Sequence, residues 1–209
     1  MAEELLILAS ASPRRRELLR TIVPEFEVCP CHLEEPASPP TGLSPTAWAL
    51  ALAYFKARAV ADQRPGRWVL AADTLVSCAG QVLGKPRDLE DARRMLCLQA
   101  GRASDVITGV CLARREASVR RILTAEATRV WMRDAPAEIE AYLAGGDWQG
   151  KAGAYGIQDI GDRLIERLEG SFSNVVGLPL ERVGRILGSV GGPKPVRATP
   201  HGPPQRNCG

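Results

Sequence analysis

An apolar strand that stops at two serines and a proline constrains this chain more than any other feature. The run from Leu6 to Ala9 is followed by Ser10, Ser12 and Pro13, and three consecutive arginines then begin a helical stretch. Ser12 can cap that helix and Pro13 suits its first position. The free N–H groups at the positive end of the helix dipole would then converge on one bound phosphate or carboxylate. Arginine can also grip a phosphate or carboxylate with two bonds. The run predicts a polyanion site, although a capped surface helix with a solvated basic face has the same pattern.

A second segment places a carboxylate inside an apolar run. Residues 70–76 read as a buried strand, but Asp73 and Thr74 interrupt it. An aspartate buried there has to pair with a cation, take up a proton or hold a metal ion. The alternative is a strand-end aspartate that makes a turn.

Two further segments each place one lysine next to glycine or proline residues. Lys85 lies between Gly84, which lets another group come close, and Pro86, which stiffens the loop. An ordinary surface turn would explain the same pattern. The run 150–158 holds three glycines around Lys151 and ends at a glutamine. Such glycine spacing lets a backbone approach a ligand, although a Gly-rich connector has it too.

Together these four segments resemble the Maf family of nucleoside triphosphate pyrophosphatases, over nearly the whole chain up to about Leu187. The family's motifs are matched by Ser10-Ala11-Ser12-Pro13-Arg14-Arg15 with Glu17-Leu18-Leu19, by Ala72-Asp73-Thr74 before Leu83-Gly84-Lys85-Pro86, by residues 151–158, by Glu169-Gly170-Ser171 and by residues 174–180. The intact Lys-Ala-Gly and Ile-Gln of the late motif resemble the branch that acts on dTTP and UTP. The branch that takes 7-methyl-GTP usually departs from the motif there.

The resemblance implies roles for particular residues. Asp73 is the family's acid/base residue, either taking a proton from water directly or ordering that water through a divalent cation, Mg²⁺ or Mn²⁺. Glu35 matches a family acid and is implied as a second metal ligand, with a solvated loop carboxylate as the alternative. The implied phosphate-binding residues are Ser10, Ser12, Arg14, Arg15, Lys56, Lys85 and Lys151. The substrate-selecting residues are Arg14, Thr74 and Gln158, whose amide offers the donor and the acceptor that a pyrimidine edge needs.

The implied activity is a housecleaning hydrolysis of dTTP, UTP and modified pyrimidine nucleotides to the monophosphate and pyrophosphate. One alternative is a nucleotide-binding regulator of cell division or septation, which would tolerate loss of Asp73 but not of Arg14. The other is a pyrophosphatase for purine or 7-methyl-GTP nucleotides. That alternative stays open because Ser104 stands where the family usually has His, and Asp159 and Asp162 where it usually has Gly and Ala.

Composition limits the partners. The net charge of +3 is accounted for by three basic residues after position 188, so the rest of the 209-residue chain is neutral and carries no nucleic-acid footprint. The six cysteines form no paired C-x-x-C set and the two histidines lie far apart, which argues against zinc and for free thiols of a reducing cytoplasm. No stretch is apolar enough to span a membrane. A nucleoside triphosphate is the expected partner, and homodimerisation is an expectation from the family alone.

Strands and helices alternate along the chain. The patterns predict strands over 5–9, 26–29, 68–76 and 163–168, a long hairpin over 105–132, and helices over 13–22, 45–62, 88–99, 136–144 and 179–187. In the second helix, Trp48, Leu52 and Phe55 form an apolar stripe with Lys56 beside it. We therefore expect one mixed α/β unit over residues 1–187, similar to the Maf and inosine triphosphatase folds, with a twisted central sheet and two lobes around a cleft. Residues 188–209, rich in proline and glycine, are predicted to be a flexible tail.

Overall fold

A computed structural model describes residues 5–34, 36, 39–158 and 163–191. The strands in these ranges are β1 (Leu6–Leu8), β2 (Phe26–Val28), β3 (Trp68–Cys78), β4 (Gln81–Leu83), β5 (Ala103–Arg115), β6 (Val119–Met132) and β7 (Ile165–Glu169). The helices are α1 (Pro13–Arg20), α2 (Pro45–Gln63), α3 (Leu89–Gln99), α4 (Pro136–Gly145), α5 (Phe172–Val176) and α6 (Leu180–Ser189), with a 3₁₀ turn over Ala152–Ala154.

All seven strands form one mixed sheet in the order β2-β1-β3-β5-β6-β7, and β4 pairs with the end of β3. Strand β1 runs parallel to β2 and to β3, whereas the β3–β5, β5–β6, β6–β7 and β3–β4 pairs are antiparallel. Because Leu8 lies opposite Leu70 in the parallel pair, the chain that leaves β1 arrives level with Asp73 and Thr74. Because Leu83 lies opposite Val76, β4 carries Lys85 back toward the same level.

The sheet separates two apolar layers. Helix α2 covers one face, where its alanines pack on Ile7, Val69, Ala71 and Cys111. Helices α1, α3, α4, α5 and α6 contribute to the larger core on the other face. Since side chains of a strand alternate between faces, consecutive residues of β3 serve different layers. Asp73 therefore points to the α2 side with Ala71 and Leu75, and Thr74 points to the opposite side with Ala72 and Val76.

A single glycine lets α2 lie directly on the sheet. Gly109 of β5 is the register partner of Asp73. A Cβ at Gly109 would be 2.4 Å from the backbone carbon and oxygen of Ala49 in α2, a distance that real Cβ atoms essentially never show. Any larger residue at this position would push the helix away. The close approach of α2 is what brings Lys56 down to Asp73.

Most of the predicted elements are confirmed. Ser44 caps α2 and Asp88 caps α3, while Gly146, in the left-handed conformation, ends α4. Strand β4, the 3₁₀ turn and α5, which span three to five residues each, were not predicted.

The predicted stripe on α2 is wrong at Phe55, which is 52% exposed, whereas Trp48 and Leu52 are buried. Three residues after Leu52, the helix has turned Phe55 past the edge of the face that meets the sheet. The predicted tail lies outside the described residues from position 192 onward, and residues 188–189 still belong to α6. None of the described helices is long and apolar enough to cross a membrane.

Candidate active site

A cleft of about 380 Å³ opens where β1 ends, between α1 and the loop over residues 149–158. Ten predicted site residues line it: Ser10, Ser12, Arg14, Arg15, Lys56, Asp73, Thr74, Lys85, Lys151 and Gln158. The eleventh, Glu35, lies outside the described residues. The structure thus brings together residues that are up to 148 positions apart, while their individual roles stay predictions.

The serines between β1 and α1 build the first wall of the cleft. Ser12 is the N-cap of α1, and its hydroxyl accepts a hydrogen bond from the Arg15 N–H at 3.4 Å, as the sequence predicted. The Ser12 N–H in turn donates to the Ser10 hydroxyl at 3.2 Å, and Ser10 is buried. This turn holds the positive end of α1 against the cleft, where it favours an anion.

Asp73 and Lys56 form a buried ion pair on the α2 side of the sheet. The Lys56 Nζ donates to the Asp73 Oδ1 at 2.5 Å, and the two side chains are 12% and 10% exposed. The sequence placed Lys56 among the phosphate ligands, and the contact with Asp73 was not predicted. Besides facing the cleft, Lys56 therefore orients the carboxylate that also lines it.

On the opposite face, Arg15 and Thr74 belong to a polar network under the cleft. The Arg15 guanidinium donates to the Gly177 carbonyl at 2.8 Å through Nε and to the Thr74 hydroxyl at 3.0 Å through Nη2. The Thr74 hydroxyl also meets the Thr108 hydroxyl at 2.9 Å. Arg15 therefore ties α1 to β3 and to the turn after α5, a structural role that the motif of arginines did not indicate.

Asn174 supports this network from below. Its side-chain amide donates to the Val106 carbonyl and to the Thr128 hydroxyl, both at 2.9 Å, while the Thr108 hydroxyl donates to the Asn174 carbonyl at 3.1 Å. Asn174, Thr108 and Thr128 have no exposed surface, so each bond is made without competition from water. The arrangement fixes α5, and with it the Gly177 carbonyl that Arg15 contacts.

The loop over residues 149–158 forms the opposite wall and buries Lys151. The Lys151 Nζ lies 3.4 Å from the Tyr142 hydroxyl and 5.9 Å from the centre of its ring. Gly153 of the same loop has a φ of +69°, and a Cβ there would lie 2.7 Å from a Val76 methyl. Gly153 thus lets the loop pack closely on Val76 of β3, while the approach of this loop to a ligand stays a prediction.

Arg14 spans the two walls, since its guanidinium donates to the Gly150 carbonyl at 3.4 Å. Lys85 and Gln158 are exposed at the cleft rim. Five cations line the cleft, and Asp73 is the one acidic side chain among its described lining residues. A surface with this balance of charge attracts a polyanion.

Known proteins resemble this chain over nearly its whole length. The sequence model of the Maf-like protein family matches residues 5–190. The chain belongs to the Maf family. A dTTP/UTP pyrophosphatase of Anaeromyxobacter sp. (strain Fw109-5) is 47% identical over 203 residues, which cover 96% of each chain. One of Myxococcus xanthus (strain DK1622) is 45% identical over 198 residues, covering 94% of this chain and 98% of its own length.

Among solved structures, a nucleoside-triphosphatase / dITP/XTP pyrophosphatase of Mycobacterium abscessus aligns with a TM-score of 0.43 at 16% identity, covering 88% of this Maf chain and 96% of its own. A likeness at this level says nothing about activity. The family assignment stands on the sequence matches.

The donor atoms in the cleft are compatible with a hard divalent cation. The described residues contain no cluster of three or more His, Cys, Asp or Glu side chains that could hold a metal ion by themselves. Mg²⁺, however, is usually bound by one or two carboxylates together with substrate phosphates, because it keeps several waters. Asp73, as a cleft carboxylate among cations, fits that pattern once a triphosphate supplies the remaining oxygens.

Several residues that shape the site were not found from the sequence. They are Tyr142 on α4, Thr108 and Gln99, none of which was a predicted site residue. A lone polar residue inside an apolar run is the one signal that these positions offer. That signal does not say which distant loop the residue will contact.

Proposed function

We propose that this Maf protein hydrolyses dTTP and UTP to the monophosphate and pyrophosphate. The observation that carries the proposal is the cleft itself, which is lined by one carboxylate, Asp73, and by five basic side chains. The relatives with 45–47% identity that carry the name dTTP/UTP pyrophosphatase support the same substrates. We extend the proposal to modified pyrimidine nucleotides, because the base would lie at the rim of the cleft rather than in its buried part.

The basic residues would bind the triphosphate and neutralise charge as the reaction proceeds. Water attacks the α-phosphorus and pyrophosphate leaves, so negative charge grows on the departing phosphates. Lys85 and Arg14 lie near the rim, and Lys151 lies deeper in the opposite wall, so together they can surround a chain of phosphates. Ser10, Ser12 and the positive end of α1 add hydroxyl and backbone dipoles on the remaining side.

Asp73 would accept the proton of the attacking water. A general base must be held within hydrogen-bond reach of the proton that it takes, and geometry comes before acidity in judging a candidate. The ion pair with Lys56 fixes one carboxylate oxygen, Oδ1, and leaves Oδ2 as the oxygen available to a water in the cleft. Lys56 is thus proposed as the residue that aims the base, in addition to contacting phosphate.

In the alternative role of Asp73, it orders the water through a divalent cation, Mg²⁺ or Mn²⁺; this ion would be held by Asp73 and by substrate phosphates, and Glu35 is the proposed second carboxylate ligand. When bound, the ion polarises phosphoryl oxygens and neutralises charge on the leaving pyrophosphate. Side chains and backbone N–H groups of the chain would make all the other contacts to the substrate. The choice of Asp73 rests on its place as a carboxylate in the cleft wall.

Base selection is proposed to depend on Gln158, Thr74 and Arg14. Gln158 lies at the exposed rim, where its amide can offer both a donor and an acceptor to uracil or thymine. A base with the wrong edge would leave such groups unpaired, at about 1–3 kcal/mol each. The Thr74 hydroxyl already contacts Arg15 and Thr108, so we propose that it shapes the pocket rather than moving to meet the base.

The proposal is tested by incubating the purified chain with Mg²⁺ and each common and modified nucleoside triphosphate, and by measuring pyrophosphate and orthophosphate separately. We expect the wild type to release pyrophosphate from dTTP and UTP and the Asp73→Asn variant to release none. Pyrophosphate from a purine or 7-methyl-GTP nucleotide alone would overturn the substrate assignment. Binding without release would instead support a nucleotide-binding regulator.

For such an enzyme we propose a cytoplasmic location, where its nucleotide substrates are, with free thiols at the described cysteines Cys29, Cys31, Cys78, Cys97 and Cys111. Homodimerisation remains an expectation from the family. Size-exclusion chromatography coupled to light scattering measures the oligomeric state.

A further inference from the structure

The Tyr142 hydroxyl lies at the centre of the loop that presents Lys151. Tyr142 is on α4 and is 2% exposed, so its ring belongs to the core. The hydroxyl donates to the Asp147 carbonyl at 3.1 Å and accepts from the Gly156 N–H at 3.2 Å and from the Lys151 Nζ at 3.4 Å. These bonds match the one donor and two acceptor positions that a hydroxyl has.

Lys151 is confined between this tyrosine and a glycine. The Lys151 Nζ lies 5.9 Å from the centre of the Tyr142 ring, within the range of a cation–π contact. On its other side, a Cβ added to Gly156 would lie 2.9 Å from Nζ and 3.0 Å from Cδ and Cε. The ammonium therefore has little room to change its position, and a side chain longer than hydrogen at position 156 would displace it.

A second anchor holds the loop independently of the tyrosine. The Gln99 side-chain amide donates to the Gly153 carbonyl at 2.8 Å, and the Gly153 N–H donates to the Gly84 carbonyl at 3.0 Å. These bonds fix the middle of the loop between Lys151 and Gly156. Loss of the Tyr142 hydroxyl should therefore remove one contact from the Lys151 ammonium and one from the Gly156 amide while the loop keeps its course.

We propose that the Tyr142 hydroxyl is a positioning group, which ties down the Gly156 backbone and holds the Lys151 ammonium in the place where it meets the triphosphate. The inference rests on the proposed function, because it needs Lys151 to contact phosphate. A lysine has a flexible four-carbon stem and loses much side-chain entropy when it is ordered. An ammonium held in place before the nucleotide arrives avoids that loss at the moment of binding.

The test compares Tyr142→Phe with the full-length wild type and with Tyr54→Phe. Tyr54 is the matched control, since its hydroxyl contacts Arg58 and Arg121 outside the cleft. We expect Tyr142→Phe to raise KM for dTTP about tenfold and to change kcat by less than about threefold, because the lost contact orders the binding site in the ground state as well as in the transition state. Tyr54→Phe should leave both constants as they are in the wild type.

Two further variants separate positioning from general loosening of the core. Gly156→Ala displaces the same ammonium without touching the tyrosine, and the atoms it meets are the far end of a flexible side chain, so it should fold and raise KM similarly. In a Lys151→Met background, Tyr142→Phe should have at most about a threefold further effect on kcat/KM, since the two residues act as a unit.

Wild-type constants for Tyr142→Phe, or an undiminished effect of Tyr142→Phe in the Lys151→Met background, would overturn the inference. If the Tyr142→Phe variant does not fold, the Gly156→Ala variant decides the question. A Gly156→Ala variant with wild-type constants would also overturn the inference. A wild type that releases no pyrophosphate would refute the proposed function itself, which is a different outcome.

Discussion

Replacing Lys56 with methionine removes the ammonium of the buried ion pair and keeps most of the side-chain length. The two side chains of the pair are only 12% and 10% exposed. Water can therefore replace little of the electrostatic stabilisation that the Asp73 carboxylate loses with the ammonium. Breaking a buried pair by removing one partner costs about 3–5 kcal/mol. The pair lines an open cleft, and we therefore expect the lower end, a loss of about 3 kcal/mol in the free energy of unfolding.

For a chain of this length, a loss of 1 kcal/mol lowers Tm by about 2–4 °C, which makes the expected drop about 6–12 °C. Thermal unfolding followed by circular dichroism at neutral pH measures it. Lys85→Met is the matched control, because Lys85 is an exposed lysine of the same cleft and its Tm should stay within about 2 °C of the wild type.

The double variant Lys56→Met with Asp73→Asn should lose less stability than the sum of the two single variants, because each single change leaves the other partner buried and unpaired. A Lys56→Met protein that melts within about 2 °C of the wild type would refute the reasoning. It would mean that the carboxylate is hydrated without its partner and that Lys56 does not orient it.

Gly109→Ala should lower stability by about 1–3 kcal/mol in urea unfolding, since the new Cβ would lie 2.4 Å from the Ala49 backbone and must push α2 from the sheet. Wild-type stability would contradict the close packing of α2. In iodoacetamide labelling read by mass spectrometry, exposed Cys97 should react first, and Cys111, where burial raises the thiol pKa to about 12, should react only on unfolding. Cys31 lines the cleft, so dTTP should slow its labelling. Equal labelling with and without nucleotide would contradict binding there.

The sequence predicted the order of the long elements because their signals are local. A capping serine with a proline after it marks the start of α1 and of α2, and two long runs of mixed polarity with a turn between them mark the hairpin. The short β4 and α5 carry no such signal, and they form because β3 and the polar network around Asn174 hold them.

The site was predicted as a set of residues but not as an arrangement. Motifs indicated which side chains share the cleft, since the resemblance supplied residues that spacing alone could not connect. They did not indicate that Lys56 pairs with Asp73, which depends on Gly109 of β5 admitting α2, nor that Arg15 donates to Thr74. Such contacts join residues on different elements, and no local pattern records them.

The measurement that tests the central claim most directly is hydrolysis of dTTP in water labelled with ¹⁸O, with mass spectrometry of both products. Attack of water on the α-phosphorus, assisted by Asp73, places the label in the monophosphate and none in the pyrophosphate, and Asp73→Asn should form neither product. Label in pyrophosphate or release of labelled orthophosphate would contradict the account, because water would then attack a phosphorus other than the one that the claim requires.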